Sequence, residues 1–386
     1  MYIGSIMCVI VLAYIIIKWK YGFWMKQPVY HIYDIQYYFK PPQVISKSLP
    51  EKNNHVNQIN IHTRFTSTLL EHEWCSFVIF LQKYFLREKH NTYNPKLENI
   101  VPYFKNPKSI CSFYYDTIEY KHSDGTIIVN DCNLVGVMTS RPVFGILGDA
   151  SIPIYYVDNL CVSSQHRKSG IAASIIQTHH YNQRRLNPDI HVSLFKREND
   201  MTWIVPLTYF NTYVYDVKGY ELDVRFHAKF KILNIKHDSI HRIMRFISEN
   251  SSKYTVCIYD GSETILENIN NNNVIIYAVV NTDIDDIVAV YIFKVPRVTI
   301  KHNNVINCIG SIKGNITEEV FYYVFIDILQ KINIVNKVLA IECISDNGIL
   351  VSRMADPKPI YTTPTAYFLY NYICSPINSD KCLIIL

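Results

Sequence analysis

Between Tyr155 and Arg185 the spacing of apolar and polar positions changes period, and the change predicts a strand, a turn and a helix in succession. Tyr155, Tyr156, Val157, Leu160, Cys161 and Val162 form a short apolar, aromatic and β-branched run that reads as a buried strand. Asp158 and Asn159 interrupt it, and two polar residues inside such a run predict a bulge with backbone N–H groups freed from the ladder. Ser163 to Ser169 is polar and basic, and from Gly170 onward Ile171, Ala172, Ile175, Ile176 and His179 recur at helical spacing. A basic turn thus feeds a helix N-terminus, whose unpaired N–H groups suit a pyrophosphate. Arg167 and Lys168 would add formal charge there, and Gly170 would allow close approach. The same pattern also suits a solvated turn before an ordinary surface helix.

The rest of the chain arranges around this stretch. Leu69, Trp74, Phe77, Val78, Leu81 and Phe85 predict a helix over 68–87. Residues 41–62 are polar with prolines and read as a linker, and 86–95 as a loop. Short strands are predicted over 112–119 and 126–130 around a turn at Ser123-Asp124-Gly125, residues 204–207 read as a loop into Tyr209 to Tyr215, and the resemblance given below implies further strands at 134–142 and 191–195. Residues 224–235 would close the first half of the chain. Helices over 239–250 and 317–330, a hairpin of 275–280 with 287–295, and a core strand at 338–344 follow. Apolar residues 382–386 end the chain, which predicts a terminus buried as a strand, because chain ends are normally polar and frayed.

At the other end, Tyr2 to Ile17 is almost wholly apolar, about 24 Å if helical, short for a membrane span but followed at once by Lys18 and Lys20. A retained anchor is expected, single-pass, with the globular part on the cytosolic side and Phe23 and Trp24 as interfacial aromatics. The alternative is a buried N-terminal element.

A chain of 386 residues, 49% hydrophobic and 18% charged, is folded and long enough for two cores. Its net charge of +5 comes without an arginine-rich run, which argues against nucleic acid as a partner. Ten cysteines lie at irregular intervals with no CxxC pair, so neither a metal site nor a disulfide framework is expected.

Two groups of motifs carry a resemblance. Residues Gln165 to Ala172 resemble the acetyl-CoA-binding loop of the GNAT superfamily. Tyr21-Gly22-Phe23-Trp24-Met25-Lys26-Gln27-Pro28-Val29 resembles the opening motif of the N-myristoyltransferases, a family of two GNAT-like halves. Leu134 to Pro142, Asn159-Leu160-Cys161-Val162 with Arg167, and Leu369-Tyr370-Asn371 with the final leucine resemble the same family. The resemblance covers most of residues 20 to 386. It implies an α/β (α+β) tandem GNAT-like N-myristoyltransferase fold behind the anchor at 1–19, with an acyl-CoA-binding half at 20–225 and a second half at 226–386. It also implies transfer of myristate from myristoyl-CoA, a co-substrate and not a permanent cofactor, to the N-terminal glycine of peptides or proteins.

The site residues follow from the same resemblance. Phe23, Trp24, Asn159, Leu160, Cys161, Val162, Arg167, Lys168, Ser169, Gly170, Ile171 and Ala172 would contact acyl-CoA. The backbone amides of Asn159 and Leu160 would form an oxyanion hole, and the Leu386 carboxylate would take the proton of the glycine amine. That chemistry is sensible, since an α-amine is mostly protonated at neutral pH and attack on a thioester builds negative charge on oxygen. Apolar neighbours Leu383, Ile384 and Ile385 would raise the carboxylate pKa by desolvation. The chain departs from the family pattern at several places, among them Ile204 to Tyr215, where only the proline and the aromatic character of the family's turn and Tyr-His-Arg cluster survive. Asp158 stands where an asparagine is usual, Tyr361 to Thr365 replace a glycine-rich turn with an aspartate, and Arg87, Lys89 and His90 surround Glu88 where the family has an acidic loop. Two other functions therefore stand beside transferase: a membrane-tethered scaffold or acyl-CoA-binding protein that has lost turnover, and a GNAT-type N-acetyltransferase.

Overall fold

The computed structural model describes residues 11–12, 15, 22–86, 91–121, 127–199, 201–216, 229–236, 239–332, 337–354 and 358–386. Most of the expected anchor, the turn at 123–125, the loop residues 87–90 and the boundary at 225/226 lie outside them. Among the described residues no helix is long and apolar enough to cross a membrane.

The strands of the amino-terminal part are β1 (Gln43–Val44), β2 (Ile61–Phe65), β3 (Asn91–Tyr93), β4 (Ile110–Lys121), β5 (Ile127–Leu147), β6 (Ala150–Val162), β7 (Val192–Glu198), β8 (Thr208–Asp216) and β9 (Phe230–Asn234). Those of the remainder are β10 (Val256–Tyr259), β11 (Val274–Asn281), β12 (Asp286–Lys294), β13 (Val298–Ile300), β14 (Asn303–Lys313), β15 (Lys337–Glu342), β16 (Tyr361–Tyr370), β17 (Tyr372–Ile373) and β18 (Cys382–Ile385). One continuous sheet runs in the order β18-β10-β5-β6-β7-β16-β8-β15-β14-β12-β11-β9.

The same unit occurs twice in this sheet. β6 and β7 are parallel and joined by the helix Ile171–Leu186; β14 and β15 are parallel and joined by the helix Glu318–Lys331. Such crossovers place a helix on the sheet, and an apolar stripe seats each one. Phe321, Val324, Phe325 and Ile328 bury the second helix against Tyr291, Phe293 and Leu339. For the first helix, Ile175 packs so closely on β5 that a Cβ on Gly136 would lie 2.5 Å from its Cδ1. The final strands are exchanged between the units: β16 lies between β7 and β8, and β8 lies between β16 and β15.

Several predicted bounds shift for local reasons. The helix expected over 68–87 is Glu71–Tyr84, because Thr66–Thr68 forms a 3₁₀ turn and the Glu73 carboxylate accepts the Leu70 N–H at 2.9 Å. Such a reciprocal contact marks a helix start. The separate strands expected at 126–130 and 134–142 are one strand, β5, whose pairing with β4 slips at two bulges. The part of the 224–235 stretch that is described, β9, pairs with β11 in the second unit. The terminus is a strand as its apolar composition predicts, paired in parallel with β10.

Candidate active site

The site is built where β6 and β7 part. They pair from Ile154↔Val192 to Val157↔Phe195 and no further, although both strands continue. At the same point β6 bulges from β5. Thr139 faces Asp158 and Val137 faces Cys161, so Asn159 and Leu160 together oppose Met138. The bulge is the one predicted by the polar pair in the apolar run. Asn159 takes φ 56°, a left-handed conformation that asparagine tolerates. Its side-chain amide donates to Thr139 Oγ1 at 3.0 Å, and its backbone N–H donates to Asp158 Oδ1 at 2.7 Å.

A cavity of about 410 Å³ opens between the parted strands, lined among others by Trp24, Met138, Val157, Asp158, Asn159, Leu160, Ile176, His180, Phe195 and Tyr370. Trp24 is the member of the Phe23-Trp24 pair that reaches it. Its ring stacks on Phe195 at 5.9 Å, and Phe195 stacks on Phe368. Phe23 instead packs edge-on against Trp24 and His55. The opening motif is pinned here by Gln27, whose Oε1 accepts the Tyr370 hydroxyl at 2.6 Å. Thus the N-terminal motif and the Leu369-Tyr370-Asn371 segment meet on one wall. His179 and His180 lie on the helix face beside the cavity. Burial pushes both imidazoles down to about 3, and the neighbouring Arg184 charge adds to the effect at His180. His179 is satisfied in the neutral form by Ser112 and Ser140, each 2.8 Å away.

The basic turn sits at the end of β6. Lys168, Ser169 and Gly170 are exposed, and Gly170, with φ 85°, precedes a helix whose first N–H groups have no side-chain cap. A Cβ at Gly170 would meet no protein atom within 4 Å, and its φ of 85° is a conformation that favours glycine. Arg167 serves the scaffold: its Nε donates to Val162 O and its Nη2 to Tyr84 O at 2.7 Å, tying the turn to β6 and to the Glu71–Tyr84 helix. Cys161 and Val162 are core residues packed under that turn. Ile171 and Ala172 begin the helix.

A second, smaller cavity of about 60 Å³ lies against the same Asp158-Asn159 bulge, lined also by Tyr103, Arg141, Lys294 and Arg297. Leu386 is only 7% exposed, and its oxygen accepts a hydrogen bond from Lys294 Nζ at 3.2 Å. A single lysine therefore links the chain terminus to the cavity that the bulge walls. Burial pushes the Lys294 pKa down, the Arg141 and Lys196 charges push the same way, and Asp158 and Asp260 oppose them.

Sequence reasoning missed the buried charges that frame this region. Arg141 donates to Asp260 from Nε at 2.8 Å and Nη2 at 3.0 Å, with the Tyr103 and Tyr156 rings over its guanidinium. Lys196 bridges Glu342 at 2.9 Å and Glu198 at 3.1 Å. Although burial disfavours its charge, the two carboxylates hold Lys196 well above its ordinary pKa. Lys294 had one legible sign, a cation ending a strand that is apolar from Ile287 to Phe293. Nothing in the sequence joins Arg141 to a partner 119 positions away. Among the described residues there is no cluster of metal-ligating side chains.

No protein-family model matches the chain, and no curated protein does. Solved structures do. A crystal structure of Saccharomyces cerevisiae N-myristoyltransferase with bound myristoyl-CoA matches 93% of this chain and 94% of its own, with a TM-score of 0.69 at 14% identity. Two further structures of the yeast enzyme, one with myristoyl-CoA and one with myristoyl-CoA and inhibitors, match with the same score and identity over 90% and 91% of their chains. The doubled crossover unit, the exchanged final strands and the splayed parallel pair are thus the tandem GNAT-like fold of the N-myristoyltransferases.

Proposed function

We propose that the chain is an acyl-CoA-dependent acyltransferase that moves a myristoyl group from myristoyl-CoA to the N-terminal glycine amine of a peptide or protein. The observation that carries this reading is the buried terminus, held by Lys294 beside the cavity that borders the Asp158-Asn159 bulge. In this reading a carboxylate there is the base on the acceptor side of the bulge, and the larger cavity is taken as the acyl side. Its 410 Å³ is in the range of sites that enclose whole ligands, and an acetyl group would fill little of it.

In this reading the acyl chain lies between β6 and β7, against Trp24, Met138, Ile176 and Phe195. The exposed turn at Lys168 and the uncapped helix N-terminus receive the pyrophosphate. Backbone N–H groups of Asn159 and Leu160 polarise the thioester carbonyl. The Leu386 carboxylate removes one proton from the glycine ammonium, the free amine attacks the carbonyl carbon, the C–S bond breaks, and the amine's second proton leaves with the CoA thiolate as thiol. The apolar run 2–17 tethers the enzyme to a membrane with its body on the cytosolic side, which protease protection of the full chain in vesicles tests.

One observation favours a second reading, a binding protein without turnover. The Asn159 N–H that would serve the oxyanion is already donated to the Asp158 carboxylate. The two separate in one experiment. The full chain is incubated with labelled myristoyl-CoA and a glycine-initiated peptide, beside a form extended by a few residues at the C-terminus. Label transferred by the native form alone supports the terminal base; equal transfer by both removes it. A rise in melting temperature with myristoyl-CoA but no transfer favours the binding protein.

A further inference from the structure

The segment after the opening motif carries apolar side chains outward. On the 3₁₀ turn Ile35–Phe39, Ile35 is 75% exposed, Tyr38 67% and Phe39 82%, and Ile32 just before it is 47% exposed. Exposed apolar residues are ordinary when scattered singly, but a contiguous group marks a surface that another phase or molecule covers. These lie within the eight residues from Ile32 to Phe39. The Tyr38 hydroxyl donates to Ile32 O at 3.2 Å, and the Ile32 N–H donates to the carbonyl of Trp203, itself partly exposed, at 2.9 Å.

Nor is the segment a frayed end. Tyr37 points inward and its hydroxyl donates to Cys374 O at 2.7 Å; the His31 N–H donates to Asp34 Oδ2, and the Val205 N–H to Tyr30 O. A pinned backbone thus exposes isoleucine, tyrosine and phenylalanine within one short segment, with Trp203 joined to it through the backbone, Asp34 within it and Lys26 and Lys40 flanking it in the chain. That is the composition of a layer half in hydrocarbon and half among headgroups, where aromatic rings and lysine ammonium groups settle. The apolar run 2–17 ends only 15 residues before Ile32, so the occupant to which the sequence leads is a bilayer.

We infer that Ile32, Ile35, Tyr38, Phe39 and Trp203 form a membrane-docking face that lays the body of the protein against the lipid surface, in addition to any hold by the N-terminal run. This contact does not depend on acyl transfer, so failure of either proposal leaves the other standing. A bilayer so placed would cover the side of the molecule that carries the opening motif.

The test uses the full chain bound to phosphatidylcholine–phosphatidylserine vesicles containing a phosphatidylcholine with a diazirine in its acyl chain. Adducts are mapped by mass spectrometry after illumination. The expected result is labelling of residues 32–39 and 203, with none at Ile284, which is comparably exposed on a distant turn of the sequence. The double variant Ile35→Glu, Phe39→Glu should keep the melting temperature and lose at least tenfold of the labelling at 32–39. Adducts confined to residues 1–24, or unchanged in the variant, overturn the inference. So does a lipid-free dimer, seen by sedimentation, that the variant abolishes while the native face takes no label, since the face would then join two copies.

Discussion

Replacing Lys294 with methionine tests the base most directly. The side chain lines a cavity, donates to the Leu386 oxygen at 3.2 Å and holds its ammonium 4.7 Å over the Tyr103 ring, so the change removes a charge and both contacts while keeping a side chain of similar length. A hydrogen bond between charged groups contributes about 1.5–3 kcal/mol, and each 1.36 kcal/mol in a barrier is tenfold in rate. If that contact holds the carboxylate in line with the amine, Lys294→Met should lower kcat/KM for peptide acylation by about 10- to 150-fold. The pH profile should move as well. Without the ammonium, a buried carboxylate is harder to ionise, its pKa rises, and the acid limb of kcat/KM shifts to higher pH. Arg141, Lys196, Asp158 and Asp260 also act on Lys294, so their variants should shift the limb less than its removal does. Lys294→Arg keeps a cation and should restore most of both effects. A methionine variant that folds, with native kcat/KM and an unmoved acid limb, would refute the argument.

Three other outcomes follow from the same geometry. Asp158→Asn should speed single-turnover transfer about fivefold, because a neutral acceptor competes for the Asn159 N–H by ~1 kcal/mol less than a carboxylate; a slower variant would give Asp158 a positive role. Arg141→Met should cost about 3–5 kcal/mol in urea unfolding by stranding buried Asp260, and Arg141→Met with Asp260→Leu should recover most of it. Stability should fall in mild acid. His179 and His180 are held down to about 3, below the ordinary value, so the unfolded chain takes their protons first. The stability they confer is complete above pH ~6.5 and declines toward pH 3 by about 1.4 kcal/mol per pH unit for each; an unchanged urea midpoint between pH 7 and 5 would contradict this.

What was legible in the sequence was local. The apolar run broken by Asp158-Asn159 yields the bulge, and the change of period at Gly170 yields the helix start, because both depend on neighbours in the chain. The apolar terminus was legible as buried, but its partner was not, since Val256–Tyr259 is a four-residue strand with no distinguishing pattern. Charges that meet only through the fold were invisible for the same reason: Lys196 and Glu342 lie 146 positions apart. Motif resemblance assigned Arg167 to the ligand and gave no sign that two of its nitrogens hold backbone carbonyls. Side-chain identity is written in the sequence; what that side chain is engaged with is not.

The exchange of final strands bears on how the molecule can be made. Until Tyr361–Tyr370 leaves the ribosome, β7 and β8 have no neighbour between them, and each presents an open row of amides and carbonyls to the cell. A nascent chain of some 350 residues would therefore hold the strands that part at the larger cavity without the strand that carries Tyr370 to its wall, and would need protection from sticking to its copies. Chains that stop short of residues 361–370 would keep both of those edges open and be prone to aggregate.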